Sequence, residues 1–177
     1  TIENIPTLID RTVFPGVQGG PHMHVVAAKA VAFREALAPE FKTYAQQVVK
    51  NAKVLSEYLI KHGLQLLTGG TDNHLMLCDV NSSHGINGDE AEKALDKIGL
   101  TVNKNAIAND PLPPFRPSGI RLGTPAITTR GLVEKDMETL ADWIVTAVKN
   151  NNDEKILNKL SIEVKDFARQ YPLPSDT

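Results

Sequence analysis

The chain has 177 residues, 41% hydrophobic and 23% charged, enough for one globular domain or a domain with part of another, and too apolar for a disordered polypeptide. Lys and Arg number 19 against 21 Asp and Glu, so no basic excess predicts a nucleic-acid or membrane surface, and the charge of -2 suits a small polar ligand. No stretch approaches the roughly 20 apolar residues of a membrane helix. Thr1-Ile2-Glu3-Asn4 has neither a basic nor an apolar leader segment, so a cytoplasmic protein is expected. The start without Met, on a segment that reads as mid-domain, suggests preceding chain.

From Ile2 to Val17 the apolar residues follow no clear period. Pro6, Pro15 and Gly16 break the stretch, which predicts an irregular connection. Gln18-Gly19-Gly20-Pro21 then opens a helix with proline at its first position. This helix, Pro21 to Leu37, is alanine-rich and apolar on most faces, so it expects burial on several sides. Pro39 restarts a helix whose apolar positions (Phe41, Tyr44, Ala45, Val48, Ala52, Leu55, Leu59) step by three and four, with Gly63 just beyond its end.

Leu64 to Thr68 and His74 to Val80 read as strands around the turn Gly69-Gly70-Thr71-Asp72. The single cysteine, Cys78, lies in the second run and reads as a buried structural thiol. Asp89 to Ile98 is a predicted helix stopped by Gly99, and Leu100 to Asn103 a further strand. A loop from Ala106 to Pro117 with four prolines follows, because proline cannot continue a central strand. After the strand-like Ile120-Arg121-Leu122 come a helix with Met137, Leu140, Ala141, Ile144 and Val148 inward, and a last helix capped by Asp153. Three or four short strands with helices along one face make an α+β sandwich.

Three segments carry candidate chemistry. Gly19-Gly20 ahead of a helix start lets backbone N–H groups approach a phosphate, although the same pair also makes an ordinary turn. Arg121, in an apolar strand between glycines, must reach solvent or pair with an anion: a ligand carboxylate or an acidic partner elsewhere in the fold. Asn103-Lys104-Asn105, before the proline loop, places amides that could read a heteroaromatic edge or merely tie down a turn. His22 and His24, two apart on a predicted helix, point to nearly opposite sides and are not expected to share a metal. His74 is expected to hydrogen-bond at its turn.

Four blocks in order (Val13-Phe14-Pro15-Gly16-Val17-Gln18-Gly19-Gly20-Pro21, Gly70-Thr71-Asp72-Asn73-His74, Thr101-Val102-Asn103-Lys104-Asn105 and Ser118-Gly119-Ile120-Arg121-Leu122-Gly123-Thr124-Pro125-Ala126) closely resemble serine hydroxymethyltransferase. The resemblance covers essentially the whole chain. It implies the carboxy-terminal part of a fold-type I pyridoxal phosphate enzyme, α/β overall. Residues 1–37 would then end the large domain and start the connecting helix, and 38–177 would form the small domain with a mostly antiparallel sheet. The implied reaction interconverts serine plus tetrahydrofolate with glycine plus 5,10-methylenetetrahydrofolate in a cytoplasmic homodimer.

Carried over by that resemblance, Arg121 binds the substrate carboxylate and Gly19 and Gly20 reach the cofactor phosphate of the neighbouring subunit. Asn105 and Pro113-Pro114-Phe115 contact the folate, although the family commonly has serine where this chain has Pro113. The family's cofactor lysine directly follows a histidine. None of His22, His24, His62, His74 and His84 is followed by lysine, so no catalytic residue is expected in this chain. The chemistry would come from an amino-terminal large domain. Two rival expectations are a free-standing, non-catalytic metabolite-binding or dimerisation module, and one half of a split enzyme whose other half supplies the lysine.

Overall fold

The computed structural model describes residues 4–173, so Ile2, Glu3 and residues 174–177 of the expected elements lie outside the described residues. The chain divides into two compact units, one running to Lys42 and the other starting at Thr43.

In the first unit, helix α1 spans Ile5–Arg11. Asn4 caps it by accepting the Thr7 N–H at 3.4 Å. The expected irregular connection therefore contains a helix. Pro6, read as a breaker, sits in the first turn, where its missing N–H has no intrahelical partner to lose. A kinked turn, Thr12–Val17, follows, with Phe14 and Pro15 outside helical geometry. Helix α2 spans Met23–Ala36 with His22 as N-cap, so Pro21 precedes the helix rather than opening it. No residue of α1 or α2 is buried. The expected burial of α2 on several sides is not met within this unit, which supplies no second apolar layer: Phe14, Met23, Phe33 and Leu37 are 66%, 71%, 67% and 86% exposed.

Helix α3, Pro39–Lys61, buries Val48, Ala52, Leu55 and Leu59 along one stripe, as its spacing predicts. It ends in a Schellman turn: Leu64 N–H donates to Leu59 O at 3.0 Å and Gly63 N–H to Ile60 O at 2.9 Å, with Gly63 at φ +94°. Four strands follow in one antiparallel sheet: β1 Gln65–Leu66, β2 Leu75–Asp79, β3 Asn103–Asn105 and β4 Gly119–Gly123, in spatial order β1-β2-β4-β3. The fold is α+β.

On the central strands Met76 pairs with Leu122 and Cys78 with Ile120, and all four are buried on one face. Against them lie apolar residues of α3, of α5 (Gly88–Lys97), of α7 (Met137–Lys149) and of α8 (Glu154–Ala168), forming one core. Burial pushes the Cys78 thiol up to about 12, in keeping with a structural thiol. Asp153 caps α8, accepting the Lys155 and Ile156 N–H groups at 3.0 and 3.1 Å.

Three elements depart from expectation. Strand β2 stops at Asp79, whose side chain accepts the Ser82 N–H at 2.9 Å and caps a short helix α4, Val80–His84. Strand β3 lies later than Leu100–Asn103, because Leu100 and Val102 pack on the core without entering the ladder. Another short helix, α6 (Pro125–Thr129), follows β4 directly. A buried amide holds it: Asn51, on α3, donates to Thr128 Oγ1 and Leu132 O, both at 2.9 Å.

Candidate functional site

The strand ladder decides which predicted residues meet. Arg121 lies opposite Asn103 on β3 and Leu77 on β2, while Asn105 lies opposite Gly119. Because side chains alternate across a sheet, Leu77, Arg121, Asn103 and Asn105 share the face away from the core. Arg121 and Asn105 are then diagonal neighbours on adjacent strands, about 7 Å apart. Lys104 lies on the other face with Ile120, and its Nζ donates to Asp89 Oδ1 on α5 at 2.7 Å. The triplet Asn103-Lys104-Asn105 is thus split between site and scaffold.

Arg121 is exposed, and its Nη2 donates to Asn103 Oδ1 at 3.3 Å. Among the described residues no carboxylate approaches its guanidinium within 4.0 Å. The fork is left facing outward with most of its donors available for an anion. Asn105 donates one N–H to Ala106 O at 2.7 Å, which ties down the turn at the strand end.

The loop between β3 and β4 is ordered around Asp110. Its Oδ2 accepts the N–H groups of Ile107 at 3.1 Å and Ser118 at 2.9 Å. Its Oδ1 accepts the Leu112 N–H at 2.9 Å and the Ser118 hydroxyl at 2.6 Å. Burial raises this carboxyl's pKa, but the bonds from Ser118, Leu112 and Ile107 outweigh it and hold the group well below the usual carboxylate range. Within the loop, Arg116 N–H donates to Pro113 O at 2.8 Å, so Pro113-Pro114-Phe115-Arg116 is a tight turn. Phe115, at its tip, is 71% exposed.

Asp110 and Ser118 were not among the predicted residues. Asn109-Asp110-Pro111 does carry a local turn signal, since an Asp can cap an N–H two residues on. Nothing in residue types announces that the same carboxylate also reaches Ser118.

A partly enclosed, mainly apolar cavity of about 320 Å³ lies instead on the core side, lined by Leu122, Ile127, Trp143, Phe167 and others. It contains none of the predicted site residues. His74 is exposed, and its carbonyl accepts the Thr124 N–H at 3.0 Å. The side-chain bonds at that turn come from Thr71, which donates to Leu75 O at 2.6 Å, and from Asn73, which accepts the Leu75 N–H at 2.9 Å.

Gly19 and Gly20 belong to the first unit, just before α2. No atom lies within 4 Å of where a Cβ would stand on either, and α2 has no side-chain cap. The expected opposition of His22 and His24 is not found, because His22 stands outside the helix as its N-cap, and the two rings lie 5.4 Å apart. Among the described residues no three His, Cys, Asp or Glu side chains are grouped to hold a metal, and no helix is long and apolar enough to cross a membrane.

A family model described as serine hydroxymethyltransferase matches residues 1–144, a range that includes every site residue above. The chain belongs to the serine hydroxymethyltransferase family. It is 56% identical over 165 residues to a serine hydroxymethyltransferase of Acidobacterium capsulatum, an alignment covering 93% of this chain and 38% of that relative. This member of a transferase family therefore spans well under half the length of the curated relative it matches. Within it, Arg121 and Asn105 share the open sheet face, with the proline loop leading from one strand to the other.

Proposed function

We propose that this chain is the carboxy-terminal part of a serine hydroxymethyltransferase that interconverts serine and tetrahydrofolate with glycine and 5,10-methylenetetrahydrofolate. It supplies recognition groups to a site completed by an amino-terminal large domain and a second subunit. The observation that carries this reading is Arg121: an outward guanidinium on a rigid central strand, with no acidic partner among the described residues.

Residues 1–37 belong, in this reading, to the large domain and 38–177 to the small one. The exposed apolar side chains of α1 and α2 support that assignment, since they call for covering chain that the first unit does not contain.

Arg121 donates two parallel N–H bonds to the amino-acid carboxylate, which fixes the orientation of its α-carbon. Asn105 and the turn Pro113-Pro114-Phe115 face the folate, with Asn105 offering donor and acceptor together and Phe115 an exposed ring. Gly19 and Gly20 leave open space before an uncapped helix start, which fits a phosphate contact from the neighbouring subunit. Pyridoxal phosphate, when bound, supplies the electron sink for cleaving and forming bonds at the amino acid's α-carbon. This chain offers no lysine in the family's position after a histidine, so it holds no group that would anchor the cofactor covalently.

The test is Arg121→Ala in the full-length protein. Serine affinity should fall by about 2–5 kcal/mol, because the carboxylate loses its partner in a closed site, and Arg121→Lys should recover only part. Serine binding is read by titration with the cofactor-loaded protein. Unchanged affinity would remove Arg121 from substrate recognition.

A further inference from the structure

The proline loop is an unusual support for a binding surface, since a long connection with four prolines and no strand of its own has few backbone hydrogen bonds to order it. Here one carboxylate supplies the order. Asp110 gathers N–H groups from the start of the loop (Ile107), its middle (Leu112) and its end (Ser118), and takes the Ser118 hydroxyl as well.

The end it grips is itself fixed. Ser118 O accepts the N–H groups of Val80 and Asn81, both at 3.1 Å, and Pro117 O accepts the Gly88 N–H at 2.7 Å. The next residue, Gly119, has no room for a side chain. A Cβ there would stand 2.9 Å from Asn105 O on β3, 2.9 Å from Cys78 O on β2 and 2.7 Å from Ile107 Cγ2. The Asp110 carboxylate thus ties the turn Pro113–Arg116 to the root of the strand that carries Arg121. Asn109, immediately before it, takes the left-handed conformation at φ +55°.

We propose that Asp110 is the positioning residue of this site: it holds the loop so that Asn105 and Phe115 meet the pterin-bearing co-substrate in register with the amino acid on Arg121. This rests on the folate reading of the loop given above. Asp110 touches no substrate in this role and acts through the four groups it binds. Its Asn variant would keep one acceptor oxygen and turn a donor toward Leu112 N–H or Ile107 N–H, so it should lose part of the network where Ala loses all of it.

The experiment uses Asp110→Ala, Asp110→Asn and Asn105→Ala in the full-length protein, with hydrogen exchange at the loop amides and steady-state kinetics for each substrate. In Asp110→Ala the amides of Ile107, Leu112 and Ser118 should lose protection. The KM for tetrahydrofolate should rise roughly tenfold or more, as displaced contacts predict, while serine affinity stays within about twofold. Asp110→Asn should fall between Ala and the parent in both readouts, and it serves if the Ala variant fails to fold. Protection retained in both Asp110 variants would overturn the pinning. Lost protection with an unchanged folate KM, while Asn105→Ala raises that KM, would overturn the positioning role and leave the folate reading standing. No effect on folate from Asn105→Ala either would remove the folate reading and the proposal with it.

Discussion

The two faces of the four-stranded sheet are built from alternate residues of the same strands and do opposite work. Met76, Cys78, Ile120 and Leu122 face the core, at most 5% exposed, where each is fixed by close packing. Between them on the same strands, Leu77 and Arg121 face outward, joined there by Asn103 and Asn105 on β3, and Arg121 and Asn103 are exposed and linked by a single 3.3 Å bond. The arginine stands between two residues buried in the core, on a strand paired on both sides, so packing and the ladder both restrain the backbone that carries it. In the proposed function, packing and recognition are thereby divided by side-chain parity rather than by region.

That division is broken most severely from the core side. Ile120→Ala should cost about 2–5 kcal/mol of stability, the range for emptying a fully buried aliphatic site. Arg121→Ala, one residue on, should change stability by no more than about 0.5 kcal/mol, as for an exposed residue with one weak bond. Urea unfolding of the two variants measures the contrast directly. Comparable losses would mean that the outward face is structural after all.

Gly119→Ala tests the point where the two faces and the loop meet. Two of the three atoms its Cβ would strike are backbone oxygens on flanking strands, which cannot rotate away. A destabilisation of about 1–3 kcal/mol is expected from overpacking, with the unfolding midpoint as the readout. A neutral substitution would show that β2 and β3 can part without penalty, and the rigid support of Arg121 would then need another source.

Much of this was legible in residue order. The three- and four-residue steps of α3, the glycine after its end, the apolar run of β2 and the Asp153 cap all follow from local chemistry that tertiary packing did not override. The short helices α4 and α6 were not read. The apolar run into Val80 continues the strand pattern without a break, and Pro125, which occupies the first turn of α6, follows the strand with no apolar period to mark a helix of five residues. Leu100 and Val102 read as strand residues but are partly buried against the core outside the ladder, since an apolar residue can pack without pairing. In the site, Arg121 and Asn105 were visible as single residues of telling type. Asp110 was not, because the bonds that distinguish it reach Ser118, eight residues away, and that pairing exists only once the chain has folded back.

The smallest effect concerns how the outer edge of the sheet is tied to the helical layer. Asp89, in the first turn of α5, bonds Lys104 Nζ on β3 at 2.7 Å and Lys93 Nζ at 2.6 Å, and these two hydrogen bonds hold its carboxyl down to about 2 despite some opposing desolvation. The ordinary Asp value is about 3.9. A carboxyl whose folded pKa is depressed contributes stability that is present above the unfolded value and lost as pH falls through the folded one. The tie between α5 and β3 should therefore persist at pH 5 and weaken between about pH 4 and pH 2. Carboxyl carbon shifts followed by NMR should show Asp89 titrating near 2, with exchange at the β3 amides rising over the same interval. Asp89→Asn should abolish that pH step while leaving the ladder between β2 and β4 protected. If the β2 and β4 amides loosen together with β3, the edge strand and the strand bearing Arg121 behave as one unit, and the rigidity of the site extends further than the core face alone provides.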